Sequence, residues 1–260
     1  MLTAQSERSG RKVQAWEARR GDQPFYCFCC RREVTLRRGS TRVAHFAHKP
    51  PILCEYGEGE SATHRWCKQQ IYTRLSESPC VEKCELERDL GTVRPDVSAY
   101  IGGVPVAIEV QLSNLSIERL AHRTSEYSRK GIYVLWLPLY TSALNKELYS
   151  PRPWELWLHS IYNGRVYYWR EGLRIQPVHF REYYVQVSGR TRDYEKLSRR
   201  KVPLEGKSVT LTEEFKPSIS RNWSSSKQSS PELKLFVDTQ PRWYWQDGIN
   251  MLHRGSAFIR

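Results

Sequence analysis

The chain has 260 residues, of which 39% are hydrophobic and 12% aromatic, enough for a hydrophobic core in one or two domains. This composition excludes a chain that is disordered throughout. The sequence also has no run of about 18 uncharged apolar residues, so we expect no membrane insertion. The 41 Lys and Arg residues against 28 Asp and Glu give a net charge of +13, which indicates a polyanionic partner.

The positive charge is concentrated at the two ends of the sequence. Residues 1–50 carry 11 basic and 4 acidic side chains, and residues 151–260 carry 19 and 11, whereas the residues between them sum to −2. A basic frame around a slightly acidic centre suits an enzyme that binds a phosphate backbone and uses carboxylates to hold metal ions. A basic protein with solvated charged faces would have the same composition.

Residues 1–55 are predicted to form a β hairpin followed by a metal-binding module. Ser9-Gly10 offers the turn of the hairpin. Residues 1–20 contain no apolar stretch ahead of their charges, so we expect no secretory signal and a cytoplasmic location. In that reducing compartment the seven cysteines should bind metal more often than they form disulfides.

The metal ligands are expected to come from two pairs of residues. Cys27 and Cys30 form a C-x2-C pair, and His45 and His48 follow it. Two thiolates and two imidazoles can hold one tetrahedral zinc ion. Cys54 is an alternative to one of the histidines, and a buried cluster of free cysteines is the alternative to the whole site. Because the segment is poor in apolar residues, we expect the zinc to be structural.

Residues 56–140 are predicted to form an α/β core in the order helix, three strands, helix, strand. Ser61 is the expected N-cap of the first helix, which stops at Ser78-Pro79. Gly102-Gly103 is a hairpin turn between the second and third strands, and Gly131 ends the second helix. The three strands, the second helix and the last strand are expected at residues 84–90, 93–101, 104–112, 115–130 and 132–137.

Residues 141–221 are predicted to form a mostly β extension. Within it, Asn163-Gly164 is the expected turn of a hairpin, and residues 178–187 are a further strand. Residues 222–260 are predicted to be a Ser-rich linker and an aromatic tail.

Glu60, His64 and Lys68 are spaced so that all three project from one face of the first helix. A carboxylate, an imidazole and an ammonium group in a row can belong to an active site. A solvated face with salt bridges has the same pattern, so the spacing leaves both interpretations open.

Two carboxylates are expected at one end of the predicted hairpin. Asp96 begins one strand and Glu109 lies near the end of the next, so pairing across the Gly-Gly turn brings them together. Glu109 lies in an apolar strand, where an unpaired carboxylate would cost several kcal/mol and therefore needs a cation. A divalent metal shared with Asp96 is one solution, and Arg94 or Arg123 is the other. Gln111 faces the same side as Glu109 because side chains alternate along a strand.

Taken in order, these motifs resemble the competence protein CoiA-like family of the PD-(D/E)xK nuclease superfamily. The resemblance covers residues 20–140. The matching segments are Phe25-Tyr26-Cys27, His45-Phe46-Ala47-His48, Glu60-Ser61-Ala62-Thr63-His64 with Lys68, Arg94-Pro95-Asp96-Val97, Ile108-Glu109-Val110-Gln111-Leu112-Ser113, Arg123 with Tyr127, and Gly131-Ile132 with Trp136-Leu137.

The resemblance implies a restriction-endonuclease-like core, metal-dependent phosphodiester cleavage and DNA as the partner. It also implies a role in processing incoming or recombining DNA, with recombination or DNA-uptake proteins as further partners. Asp96 and Glu109 would hold catalytic Mg²⁺ or Mn²⁺, and Glu60 would add a third carboxylate. Arg94, Arg123 and Tyr127 would support the site or contact phosphate.

Gln111 departs from the wider superfamily, in which a lysine usually stands at this place. An amide cannot supply the positive charge that orients and acidifies a nucleophilic water. Lys68 is the first candidate to supply that charge, and His64 is the second; Gln111 and Lys68 would together position water and phosphate.

The favoured function is therefore a Mg²⁺-dependent deoxyribonuclease with an N-terminal zinc module. The alternative is a non-catalytic DNA-binding protein or recombination mediator that keeps the nuclease fold. An RNA-directed nuclease and a zinc-dependent regulatory module are further alternatives.

Overall fold

The computed structural model of the chain describes residues 1–51, 54, 60–112, 114–186, 194–221 and 232–240. The chain divides into two compact units of mixed α/β structure. The first comprises residues 1–112 with 171–173, and the second comprises residues 113–170 with 174–260. The zinc module and the first half of the predicted nuclease core thus share one unit.

The N-terminal part of the first unit is a five-stranded antiparallel sheet with the strand order β2-β1-β3-β4-β5. The first two strands form the predicted hairpin, and Gly10 in its turn has a φ of 64°. The five strands are β1 (Thr3–Ser6), β2 (Lys12–Gln14), β3 (Phe25–Tyr26), β4 (Glu33–Arg37) and β5 (His45–His48).

A small core holds this sheet together. The rings of Phe25 and Phe46 pack with their centroids 5.0 Å apart. Ala4, Val34 and Cys27 are buried around them. The Cys27 side chain belongs both to this apolar core and to the Cys and His cluster described below.

The helix α1 (Ala62–Ser76) begins where the sequence predicted. The Ser61 side chain accepts a hydrogen bond from the backbone N–H of His64 at 3.1 Å, as expected of an N-cap. Ile71 and Leu75 are buried on the same stripe as Lys68. One face of the helix is therefore apolar in its C-terminal half and charged in its N-terminal half.

Helix α1 packs against an antiparallel meander of three strands, β6 (Val81–Leu86), β7 (Val97–Ile101) and β8 (Val104–Gln111). Gly102 and Gly103 have φ values of 55° and 78° and make the predicted tight turn between β7 and β8. Val97 lies opposite Ile108 in this hairpin.

The boundaries of the first two strands differ from the prediction. β6 begins at Val81 and ends at Leu86, and the chain leaves the extended conformation at Glu87, which has a left-handed φ of 48°. The strand itself has an irregularity between Glu82 and Glu85, where Lys83 has a φ of 50°. β7 begins at Val97 rather than at residue 93. Pro95 has no backbone N–H to donate to a neighbouring strand, so the strand starts after it.

In the second unit the predicted helix α2 (Ile117–Arg129) and strand β9 (Tyr133–Pro138) are both present. The Ser116 side chain caps α2 by accepting from the backbone N–H of Arg119 at 3.3 Å. β9 pairs in parallel with β15 (Glu232–Asp238), which pairs antiparallel with β14 (Phe215–Arg221). Residues 232–238, which composition placed in the tail, thus form a strand.

A second sheet in this unit has the order β10-β11-β12, with β13 pairing to β11. Its strands are β10 (Val166–Glu171), β11 (Arg174–Gln186), β12 (Tyr194–Glu205) and β13 (Val209–Thr210). The predicted hairpin at Asn163-Gly164 is wrong, because the residues before it form helix α3 (Pro153–Ile161). Asn163 and Gly164 instead take φ values of 55° and 89° and end that helix.

The predicted linker at residues 222–231 and the tail aromatics Trp243, Tyr244 and Trp245 lie outside the described residues. None of the helices in the described part of the chain combines the length and the apolar composition needed to span a membrane.

Candidate functional site

The face of α1 that carries His64 and Lys68, with Glu60 just ahead of the helix, is buried and ion-paired. The Lys68 side chain is 4% exposed and forms salt bridges with three carboxylates: Glu60, Glu87 at 2.6 Å and Asp96 at 3.4 Å. His64 Nδ1 lies 3.4 Å from Glu60 Oε1. The stripe of alternating charge is therefore part of a buried cluster, and the interpretation as a solvated face is wrong.

Asp96 is the residue on which the helix and the hairpin converge. Its Oδ2 atom lies 3.0 Å from His64 Nε2 and accepts the backbone N–H of Val110 at 2.9 Å. Ligand atoms of Glu60, His64 and Asp96 all lie within 4.8 Å of one another, and together they could hold a metal ion. Two carboxylate oxygens and one imidazole nitrogen are a mixed set of donors for a divalent ion, in which the oxygens suit hard cations and the nitrogen suits transition metals.

Glu109 and Gln111, the other predicted site residues, are both buried on β8. Since Val97 lies opposite Ile108, the next step along the hairpin sets Asp96 beside Glu109 at the same end. Their side chains are expected on one face of the hairpin. Glu109 is not one of the three residues whose ligand atoms lie within 4.8 Å of one another. The structure therefore places Glu60 and His64 close to Asp96, in addition to the partner Glu109 that the sequence predicted.

Sequence reasoning missed Glu87, which is the central anion of this cluster. Its carboxylate is paired with Lys68 and with Arg94, whose Nη2 lies 2.8 Å from Oε2. Arg94 also donates from Nε to the backbone oxygen of Glu87 at 3.1 Å. Glu87 lies inside the predicted strand 84–90 and belongs to no motif, so the sequence gives no spacing signal for it.

The charges of the cluster hold one another ionised. Burial alone would raise the pKa values of Glu60, Glu87 and Asp96, but the nearby cations outweigh burial and all three pKa values lie below the ordinary range. Lys68 is the leading cation for Glu60 and Glu87, and His64 for Asp96.

The cations shift in the opposite direction. Burial alone would lower the pKa of His64, but the carboxylates of Asp96 and Glu60 raise it to about 10. The pKa of Lys68 is likewise raised by Glu87, Glu60 and Asp96 in spite of burial. At neutral pH the site therefore contains paired ions rather than neutral acids and bases.

A second cluster lies in the N-terminal sheet. One ligand atom each from Cys27, Cys30, His48 and Cys54 lies within 4.8 Å of the others, and together they form a possible metal site. Cys30 Sγ is 3.2 Å from His48 Nε2, and Cys27 Sγ is 3.9 Å from Cys54 Sγ. Three thiolates and one imidazole are a ligand set typical of structural zinc sites.

Cys54 completes this cluster in place of His45. His45 and His48 are three residues apart on strand β5, so their side chains lie on opposite faces of the sheet. His48 is on the buried face, whereas His45 Nδ1 is 2.9 Å from the backbone oxygen of Val43. The alternative that the sequence left open is thus the one that the geometry favours.

The turn between β3 and β4 shapes the cysteine pair. The Arg31 N–H donates to the Cys27 oxygen at 3.0 Å, and the Cys27 N–H donates to the Arg32 oxygen at 2.9 Å. Arg31 has a φ of 57°, which closes the turn tightly. Burial raises the pKa of Cys27 to about 11, so its thiol is protonated at neutral pH. A metal ion would displace that proton when it binds.

Arg123 and Tyr127 lie on α2 in the second unit, one turn apart. Arg123 Nη2 is 3.4 Å from the Tyr127 hydroxyl, and its guanidinium carbon is 5.9 Å from the centre of the Trp136 ring. The Trp136 indole N–H donates to Thr124 Oγ1 at 3.0 Å. Both predicted residues are thus packed on one helix face, and their roles at the site stay predictions.

Comparison with known proteins assigns the two sites to two domains of one family. Residues 60–152 match the model of the nuclease-like domain of competence protein CoiA, and residues 9–57 match the model of its N-terminal domain. The two matches together cover more than half of the sequence. The chain belongs to the competence protein CoiA-like family, as the motifs had indicated.

Among individual relatives, competence protein CoiA of Bacillus subtilis (strain 168) is 32% identical over 123 residues. The match covers 45% of this chain and 32% of that protein, so the chain spans about a third of the relative's length. No solved structure matches the chain. The charged cluster lies within the nuclease-like match, and the four-residue Cys and His cluster lies within the N-terminal match.

Proposed function

We propose that the chain is a metal-dependent DNA nuclease that processes DNA during its uptake or recombination. The observation that supports this most strongly is the convergence of Glu60 and His64 with Asp96 within 4.8 Å, at the end of the hairpin that carries Glu109. The match to a nuclease-like domain supports nuclease activity with DNA as substrate, and the name of the Bacillus subtilis relative supports a link to competence.

The residues around Asp96 fit a hard divalent cation. Asp96 and Glu109 would hold Mg²⁺ or Mn²⁺ through carboxylate oxygens, with Glu60 as an additional carboxylate. The ion, when bound, would supply an activated water near neutral pH and stabilise negative charge on the phosphate. The carboxylates of the cluster stay ionised even when buried, which keeps these ligands charged.

The other side chains of the cluster would orient the substrate. Lys68 would face the negative phosphate with its ammonium group, the charge that Gln111 cannot provide. Gln111 would orient the attacking water through its amide. His64, protonated between Glu60 and Asp96, would not ligate the ion in that state and would instead hold a proton at Nε2 beside Asp96.

The Cys27, Cys30, His48 and Cys54 cluster would hold a structural zinc ion. Its members come from the β3–β4 turn, from β5 and from the segment that follows β5. One ion would therefore fix three pieces of chain around a core of only a few apolar side chains.

The basic N-terminal sheet would bind the DNA backbone. Most of its arginines are exposed to solvent, where they can neutralise phosphates. The exposed arginines of this sheet and its loops are Arg8, Arg11, Arg19, Arg20, Arg31, Arg32, Arg37, Arg38 and Arg42.

The experiment that tests the proposal is incubation of the purified protein with linear, circular and single-stranded DNA. The assays contain Mg²⁺, Mn²⁺ or a chelator, and gel electrophoresis follows the products. We expect cleavage with either metal and none with the chelator. If the protein binds DNA equally well in all conditions and cuts none of the substrates, the nuclease proposal is contradicted.

A non-catalytic DNA-binding protein or recombination mediator is the second candidate. One observation favours it: the Asp96 carboxylate, a proposed metal ligand, already contacts His64, Lys68 and the Val110 N–H. The replacement of the usual lysine by Gln111 points the same way. Substitution of Gln111 by lysine discriminates: it should retain or raise cleavage in a nuclease and create no activity in a mediator.

A further inference from the structure

Glu87 joins the N-terminal sheet to the charged cluster. Its Oε1 atom accepts the backbone N–H of Leu2 at 3.0 Å and the Lys68 ammonium at 2.6 Å. Its Oε2 atom accepts the N–H of Thr3 at 3.2 Å, the hydroxyl of Thr3 at 2.8 Å and the Arg94 guanidinium at 2.8 Å. Five donors from three parts of the first unit thus meet on one carboxylate that is 5% exposed.

The backbone of Glu87 has an uncommon conformation, and the contacts around the residue stabilise it. Its φ of 48° lies in the left-handed region that residues other than glycine, asparagine and aspartate rarely adopt. Such a conformation persists where the surrounding contacts determine it more strongly than the local preference does. Lys12 adds to these contacts by donating to the Glu87 backbone oxygen at 3.1 Å.

We propose that Glu87 is a positioning residue that fixes Lys68 in the site and makes its position depend on the docked strand β1. Lys68 has two other carboxylates to pair with, Glu60 and Asp96. Glu60 is also held from the N-terminal segment, by the Met1 ammonium at 2.8 Å, but Glu87 accepts three hydrogen bonds from Leu2 and Thr3 and joins them directly to Lys68. The N-terminal sheet therefore contributes to the geometry of the site as well as binding zinc. The kinetic consequence rests on the proposed nuclease function, whereas the positional one does not.

Two variants test the inference from opposite sides. Glu87→Gln removes the charge and keeps the shape of the side chain. Thr3→Val removes one hydroxyl from β1 and leaves every residue of the charged cluster in place. The controls are Glu82→Gln, exposed on the preceding strand β6, and Thr35→Val, exposed on β4 of the N-terminal sheet.

The first measurement is the rate at which an amine-reactive reagent modifies Lys68 in the intact protein, followed by mass spectrometry. Reagent reaches this side chain only when it leaves its carboxylates. We expect the rate to rise about tenfold or more in Glu87→Gln, since a charged hydrogen bond is worth at least that factor. In Thr3→Val we expect the modification rate to rise about two- to fivefold, which corresponds to the loss of one ordinary hydrogen bond. The controls should match the wild type.

The second measurement is cleavage of DNA by the same proteins. Glu87→Gln and Thr3→Val should lower kcat per folded molecule and leave KM for DNA unchanged. Circular dichroism gives the folded fraction, because partial unfolding alone would also lower the apparent kcat at constant KM. Modification rates equal to the wild type in both variants would overturn the inference, whatever the cleavage assay gives. If Glu87→Gln does not fold, Thr3→Val alone decides in the same way. A wild type that never cuts DNA would contradict the proposed function and leave the modification rates to decide the role of Glu87.

Discussion

The ammonium of Lys68 lies 2.6 Å from the carboxylate of Glu87, and both side chains are almost completely buried. This pair links helix α1 to the residue that ends β6. Because Glu60 and Asp96 also pair with Lys68, one cation neutralises parts of three carboxylates in the interior. The cluster is therefore sensitive to the loss of that one charge.

We predict that Lys68→Met destabilises the protein by about 3–5 kcal/mol, the cost of leaving buried charges without their partner. Urea denaturation measures this change in the free energy of unfolding. The matched control is Lys146→Met, at an exposed position, which should change it by less than about 0.5 kcal/mol. Equal stability of the two variants would mean that the stripe is a solvated face after all.

Zinc content separates the two candidate ligand sets of the N-terminal cluster. We predict that Cys54→Ser loses the metal, because its sulfur lies with those of Cys27 and Cys30 and with the ring of His48. His45→Gln should keep it, because that ring faces away from the cluster. Elemental analysis of purified proteins gives the answer. Loss of zinc from His45→Gln with retention in Cys54→Ser would contradict the geometry.

DNA affinity should fall steeply with salt, because bound phosphates release counterions when arginines neutralise them. Arg37 and Arg42 are exposed at the end of the β4–β5 hairpin. Replacing both by glutamine should reduce the slope of log affinity against log salt by about 2. Replacing both by lysine should keep the slope. Fluorescence anisotropy with labelled DNA measures it, and an unchanged slope in the glutamine variant would place the binding surface elsewhere.

A buried histidine pair in the second unit should make that unit acid-sensitive. His159 Nε2 lies 3.0 Å from His179 Nδ1 and accepts the Phe180 N–H at 3.1 Å, so its neutral form is the one that fits. Burial, with His179 and Lys201 nearby, lowers the pKa of His159 to about 3. Because the pKa of His159 is lower in the folded state than in the unfolded state, this residue stabilises the fold fully above pH 6.5, its ordinary pKa. That stabilisation is lost as the pH falls towards about 3.

The wild type should therefore lose about 2–3 kcal/mol more than His159→Gln between pH 7 and about 4.5. Urea denaturation at the two pH values measures the difference. His122→Gln, at an exposed position on α2, is the control and should follow the wild type. Identical acid sensitivity of His159→Gln and the wild type would show that another group titrates.

Local signals allowed the prediction of the elements that carry the charged cluster. Ser61 marks the start of α1 and Gly102-Gly103 the turn between β7 and β8, because capping and positive φ each need particular residue types. These two signals placed His64 on a helix with Glu60 just ahead of it, and Asp96 on the predicted hairpin, but they did not predict that the two elements converge. Periodicity did not reveal whether the charged stripe is buried, since that depends on what packs against it.

Residues whose roles depend on distant contacts were not predictable. Glu87 meets partners from β1, α1 and the segment before β7, and nothing in its immediate sequence indicates this. Asn163-Gly164 has the sequence of a hairpin turn, but Pro153 and the cap of α3 commit the preceding residues to a helix. Distant contacts decide the first case, and in the second case a competing local signal outweighs the turn preference of Asn163-Gly164.

Asp96 and Glu109 are expected to hold the catalytic metal, and Asp96 in addition pairs with His64 and Lys68. The most direct test compares cleavage and DNA binding by Asp96→Asn and Glu109→Gln with the exposed control Glu118→Gln on α2. We predict that cleavage in Mg²⁺ falls to the buffer background in both variants and stays at the wild-type rate in the control. DNA affinity should be unchanged or slightly higher, because a negative charge near the phosphate is removed. Wild-type cleavage rates in the purified Asp96→Asn and Glu109→Gln proteins would contradict the account.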